Sequence, residues 1–240
     1  MIVRLSLKLL AMATAAAPSA AAGGSAWRIA EDFERGLCVA PCRGAHWAFA
    51  QRVDGKLETV AVGGRNVLRA TTGPRGDRVP KAALVARPGK AGPGSSVDVA
   101  FDLMIPRGAP LNSVHLVDVE CATCGTQGNP GIRLYLRHGR LRIDRSKIGV
   151  RHAWVDDEAP QLEPGRWHRV EFSTLLGEES GAAAVRVDGS IVLRGKGATI
   201  VRSSGGSGSG ADRVQIGITA SSNASPAIVH IDNVRIAVGR

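Results

Sequence analysis

The stretch GIRLYLRHGRLRIDR, residues 131–145, constrains the fold more than any other part of the chain. His138-Gly139 reads as a two-residue turn with a strand on either side. Pairing across that turn sets Arg137 opposite Arg140, Tyr135 opposite Arg142, and Arg133 opposite Asp144. Side chains alternate along a strand, so Leu134, Leu136, Leu141 and Ile143 fall together on the other face. One face is therefore wholly aliphatic and needs a core. The other gathers Arg133, Arg137, Arg140 and Arg142 around the only tyrosine of the chain.

The same period-two alternation recurs along most of the sequence. It predicts strands at 66–71, 95–105, 113–121, 167–173, 183–195 (turning at Asp188-Gly189), 213–220 and 227–238. No segment carries a sustained apolar stripe of helical spacing. Many short strands separated by Gly and Pro turns predict an all-β fold, a jelly-roll sandwich of two antiparallel sheets. SSGGSGSG (203–210) reads as a flexible loop, too short to link domains.

The first 22 residues have the grammar of a secretory signal peptide: Arg4 and Lys8, an apolar run from Leu9 to Ala17, and small residues at Ala20-Ala21-Ala22. That run is too short to span a bilayer, and no later one is longer. The expectation is a secreted or periplasmic protein with one domain over residues 23–240, a monomer, not inserted in a membrane. The formal charge of +10 becomes +8 when Arg4 and Lys8 are removed (10 − 2). Such a balance suits acidic partners, and export points away from nucleic acid and toward acidic polysaccharide or envelope surfaces. The cysteines fall in two close pairs, Cys38/Cys42 and Cys121/Cys124. An oxidising compartment favours disulfides, with local bridges expected, over the alternative of a four-thiolate zinc site.

Asp118 and Glu120, at i and i+2, share one face of their predicted strand. Two carboxylates at that spacing suit glycoside hydrolysis, but ordinary salt bridging fits them as well. Strand alternation puts His115 on the opposite face unless a bulge intervenes. Trp154, in the polar RHAWVDDEAP, is a candidate sugar-stacking ring, and Lys147 lies just past the hairpin, within reach of its basic face. Asp232-Asn233 is expected to pin a strand or turn, with a structural calcium as the alternative. No other metal is indicated by the spacing of histidines.

DFERG (32–36), GGRNVLRA (63–70) and VHIDNVRI (229–236) together resemble secreted concanavalin-A-like jelly rolls, and the order of elements is similar to polysaccharide lyases of the heparin and glucuronan type. The resemblance spans nearly the whole chain after the leader. The Arg-x-Glu-Leu motif of that family corresponds here to PKAAL, with Lys81 for the arginine and Ala83 for the glutamate. Its Gln-x-His pattern corresponds to VDVEC, giving Asp118 and Glu120. The resemblance implies that the hairpin lines a concave, sugar-binding face and that an acidic polysaccharide is cleaved by β-elimination without an added cofactor. Tyr135 and His115 are then the proton-transfer candidates, and Arg133, Arg137, Arg140, Arg142, Lys147, Lys81, Trp154, Asp118 and Glu120 the substrate-binding set. A non-catalytic module that binds acidic glycans is the alternative.

Overall fold

The computed structural model describes residues 28–124, 128–202 and 209–239. The leader at 1–22 and most of the 203–210 loop lie outside them. Fourteen strands form two antiparallel sheets, and the described residues contain no α-helix. The strands are β1 (Ile29–Glu31), β2 (Phe49–Val53), β3 (Gly55–Val62), β4 (Arg65–Thr72), β5 (Lys81–Ala86), β6 (Ser96–Met104) and β7 (Val114–Glu120). They continue with β8 (Gly131–Arg137), β9 (Arg140–Asp144), β10 (Trp167–Leu175), β11 (Ala182–Val187), β12 (Ser190–Lys196), β13 (Arg213–Ser221) and β14 (Ala227–Gly239). One sheet runs β12-β11-β10-β6-β14-β4-β3, with β1 added on β14; the other runs β2-β5-β13-β7-β8-β9. Neighbours in space are often remote in sequence, the mark of a jelly roll.

The hairpin of β8 and β9 pairs in the predicted register, with Arg133 opposite Asp144, Tyr135 opposite Arg142 and Arg137 opposite Arg140. His138 and Gly139 both have positive φ, 51° and 74°, as a tight turn of matching twist requires. The aliphatic face behaves as its alternation demands: Leu134, Leu136, Leu141 and Ile143 are buried in the core between the sheets. Burial of such side chains stabilises by about 1.5–3 kcal/mol each before chain entropy is counted. Phe101, Leu103 and Phe172 approach from the facing sheet's strands, and Phe33 stacks on Trp47 at 6.4 Å beside β2. Both cysteine pairs are local disulfides, Cys38–Cys42 and Cys121–Cys124, so no free thiolate remains for zinc.

β7 departs from simple alternation. His115 pairs with Tyr135 and Val117 with Leu134, so Leu116 is an extra residue without a partner on β8. Val114, Leu116, Val117 and Val119 all enter the core. The bulge flips the alternation once, and His115 emerges on the same face as Asp118 and Glu120. The expectation that these groups lie on opposite faces is thereby corrected.

Trp154 closes the seam between the sheets. It bridges Ile143 of β9 and lies against Gly195 of β12 so closely that a Cβ there would come within 2.1 Å of the indole. The Arg145 guanidinium stacks over it at 4.1 Å, a cation–π contact.

Candidate functional site

The polar face of the six-stranded sheet is assembled in cross-strand rows. One row reads Gln215 (β13), Asp118 (β7), Arg133 (β8) and Asp144 (β9); a neighbouring one reads His115, Tyr135 and Arg142. Side chains directly opposite each other on one face touch, which turns sequence-remote residues into a cluster.

His115 and Tyr135 stack, with ring centroids 5.3 Å apart and planes inclined by 24°. Burial, reinforced by the adjacent Arg133 guanidinium, lowers the His115 pKa to about 4, so the imidazole is neutral at physiological pH. Its Nε2 lies 3.9 Å from Asp144 Oδ2, and its Nδ1 is buried without a hydrogen-bond partner. Arg133 is tied to Asp144 through Nε at 2.9 Å and through a second, shorter contact. Burial opposes ionisation of Asp144, but the Ser146 amide and Arg133 outweigh it and hold the carboxyl below its ordinary pKa.

The other arginines of the hairpin divide. Arg142 pairs with Asp157 at 2.7 Å, and Arg140 Nε donates to the Ala159 carbonyl at 2.7 Å. Arg137 is exposed, with no side-chain partner among the described residues. Charge that looked uncompensated in the hairpin alone is largely met by the segment 157–159 that runs beside β9.

Asp118 and Glu120 are buried side by side. Lys147 reaches over from the 3-10 turn Ser146–Ile148, donating to Asp118 Oδ2 at 3.2 Å and, at closer range, to Glu120. The Thr219 hydroxyl donates to Asp118 Oδ1 and the Gln215 amide to Glu120 Oε2, each at 2.7 Å. The two carboxyls separate in acidity. Burial would raise Asp118, but Lys147, Thr219 and Arg133 prevail and lower it. Burial and the Asp118 charge raise Glu120 despite Lys147. Such a pair holds its first proton on Glu120.

Next to these carboxyls lies a cavity of about 450 Å³ whose walls include Gln51, Lys81, Glu120, Lys147, Arg213 and Gln215. Burial, with Lys147 nearby, lowers the Lys81 pKa. Gln51, Arg213, Gln215 and Thr219 escaped the sequence reading. RVQIGITA did carry the signal, because alternation sets Arg213, Gln215 and Thr219 on one side of β13.

Trp154 is half-buried in the seam rather than lying on this face. Asp232 accepts from the Asn233 amide at 2.7 Å and pairs with Arg65 at 3.1 Å, which engages both its oxygens. Among the described residues no three His, Cys, Asp or Glu side chains are placed together to hold a metal ion.

No protein-family model and no curated protein sequence matches this chain. Solved structures do. An endo-β-1,4-glucuronan lyase from the fungus Trichoderma reesei aligns over 89% of this chain and 95% of its own, with TM-score 0.66 and 16% identity. The fold is that of the jelly-roll polysaccharide lyases. The cellulose induced protein Cip1 aligns over 87% of this chain and 96% of its own (TM-score 0.61, 17% identity). Alginate lyase vAL-1 from Chlorella virus aligns over 81% and 93% (TM-score 0.54, 14% identity). The correspondence covers both sheets, and at these identities it speaks of architecture alone.

Proposed function

We propose that the protein is an exported, monomeric polysaccharide lyase that cleaves an acidic, uronate-containing polysaccharide by β-elimination. The observation that carries this reading is the stacked His115–Tyr135 pair, an imidazole held neutral beside a phenol and an arginine on the polar face of the sheet. Elimination has three requirements: neutralise the uronate carboxylate, remove the proton at C5, and protonate the departing oxygen at C4. A neutral imidazole accepts a proton at physiological pH and a phenol donates one. Tyr135 and His115 divide those two tasks. Arg133 and Arg137, supported by Lys147 and Lys81, meet the carboxylate, whose charge grows as the enolate-like state forms. This route needs no organic cofactor. The lyase folds found for this chain, its two disulfides, and the absence of a membrane-length apolar helix among the described residues support the reading.

A second reading, a non-catalytic module for acidic glycans, is favoured by two observations. Asp118 and Glu120 are closed off under Lys147, and Ala83 stands where the family motif has glutamate. The readings part on one assay. The mature protein is mixed with glucuronan, alginate, hyaluronan, heparin and pectate, and ultraviolet absorbance of the unsaturated uronate product is followed. A rise on one polymer that Tyr135→Phe and His115→Gln abolish, with affinity kept within a few fold, is the expected result. A flat trace with retained affinity selects the binding module.

A further inference from the structure

A second cavity, about 600 Å³, lies between β1, the middle of β14 and the loop 32–46, and shares no residue with the face built on β7 to β9. Its volume is within the range of small-ligand sites. Three arginines line it, Arg35, Arg43 and Arg235, together with His46. None of these four side chains makes a hydrogen bond or ion pair among the described residues, in contrast to Arg133, Arg140 and Arg142 on the other sheet. Two carboxylates complete the wall. Glu31 spends Oε1 on the Phe33 amide at 3.0 Å and Asp32 spends Oδ1 on the Glu34 amide at 3.1 Å. Each keeps its second oxygen for another donor.

The loop that carries Arg35, Arg43 and His46 is a built element. Cys38–Cys42 cross-links it, and the stacked Phe33 and Trp47, both fully buried, anchor its two ends. Three guanidiniums lining one hollow favour an anion held between them, and a guanidinium grips carboxylate or sulfate at two points. The carboxylates beside them are unsuited to a bare anion. They suit a ligand that carries hydroxyl donors as well as negative charge. That combination is an acidic sugar.

We propose that this hollow is an accessory site for one acidic saccharide unit, its carboxylate or sulfate held by Arg35, Arg43 and Arg235 and its hydroxyls by Glu31 and Asp32. The site stands independently of the elimination chemistry, because it uses another sheet and another set of residues. Its role is to hold a polyanionic chain at a second point, which raises the local concentration of the polymer without a new contact at the first.

The test is a nuclear magnetic resonance titration of the isotopically labelled mature protein with a glucuronate tetrasaccharide, a heparin-derived tetrasaccharide and uncharged cellotetraose. The expected result is shifts confined to Arg35, Arg43, Gly44, His46 and Arg235 in addition to any on the β7–β9 face, produced by an acidic probe and not by cellotetraose. Combined Arg35→Gln, Arg43→Gln and Arg235→Gln should weaken that response at least ten-fold, while Arg133→Ala leaves it intact. The two acidic probes separate carboxylate from sulfate recognition. The proposal is overturned if no acidic probe shifts these residues at millimolar concentration, if cellotetraose shifts them equally, or if the triple variant responds as the parent does. Arg43→Gln alone, which removes no side-chain contact from the fold, repeats the comparison should the triple variant unfold.

Discussion

Among the described residues, Lys147→Met removes the only cation that touches both Asp118 and Glu120, while keeping the length of the side chain. Asp118 and Glu120 are 4% and 0% exposed at their side chains, so loss of the lysine leaves them poorly solvated. Breaking a buried ion pair from one side costs about 3–5 kcal/mol. Lys147 itself is 28% exposed, so screening trims the effect to about 3 kcal/mol. The Glu120 carboxyl, already raised by burial and the Asp118 charge, shifts further the same way, which limits the cost. With a urea slope of about 2 kcal/mol per molar, the midpoint should fall by about 1.5 M at pH 7. The pH dependence has a definite sign. Without Lys147 both carboxyl pKa values rise in the folded state relative to the parent. Acids raised in this way cost stability above the unfolded pKa, so the deficit is largest at neutral pH and shrinks as pH falls through about 4. Urea unfolding of both proteins at pH 7 and pH 3.5, followed by tryptophan fluorescence, measures it. Equal midpoints at pH 7, or a gap that stays constant with pH, would refute the ion-pair reasoning.

Three further outcomes follow from the same structure. Gly195→Ala drives a Cβ into Trp154 at the seam and should destabilise by about 1–3 kcal/mol; a thermal midpoint unchanged within error would show that the seam yields freely. His115, neutral in the fold down to about pH 4 and protonated in the unfolded chain from about 6.5, favours unfolding as pH falls across that window, by up to about 3 kcal/mol. His115→Gln should flatten that part of the stability–pH curve, and an unaltered slope would contradict a buried neutral imidazole. Arg137→Ala should leave stability within about 0.5 kcal/mol, whereas Arg133→Ala strands Asp144 and should cost about 1 kcal/mol or more; reversal of that order in chemical denaturation would overturn the charge pairing assigned to the hairpin.

Most of the sheet architecture was legible where alternation and turn chemistry agree. His138-Gly139 and Asp188-Gly189 fix two hairpins, and in both the turn residues adopt the positive φ that the dipeptides favour. β5 was hidden because KAALVA is buried on both faces, Ala82, Leu84 and Ala86 in the core and Ala83 and Val85 on the other side. A strand without a wet face has no period to read. β2 and β3 went unread as well, although Asp54-Gly55 between them is the same dipeptide as Asp188-Gly189; here the turn carries the chain from one sheet to the other and closes no hairpin.

The site was legible in composition and only partly in geometry. The cross-strand partners of Tyr135 and Arg133 came directly from the turn. What neutralises the arginines did not, because Asp157 and the Ala159 carbonyl belong to irregular chain whose path has no periodicity. Lys147 was placed near the basic face, yet its engagement with Asp118 and Glu120 depends on a three-residue turn that carries it back across two strands. His115 was the subtler case. Leu116 and Val117 are adjacent apolar residues in an otherwise alternating strand, and that break in period is the local trace of the bulge.

That single unpaired leucine has a consequence for how such a face is kept over evolutionary time. Substitutions change what a position carries but leave its direction fixed. Removing one residue at Leu116 would leave a regular strand in which His115 still faces Tyr135 and Asp118 still faces Arg133. The imidazole therefore keeps its place whether or not that codon is present, and the extra residue adds only a local bend to the strand. Relatives that differ by that codon would present the same imidazole and phenol on the same scaffold, although simple alternation read along their sequences would assign the histidine to opposite faces.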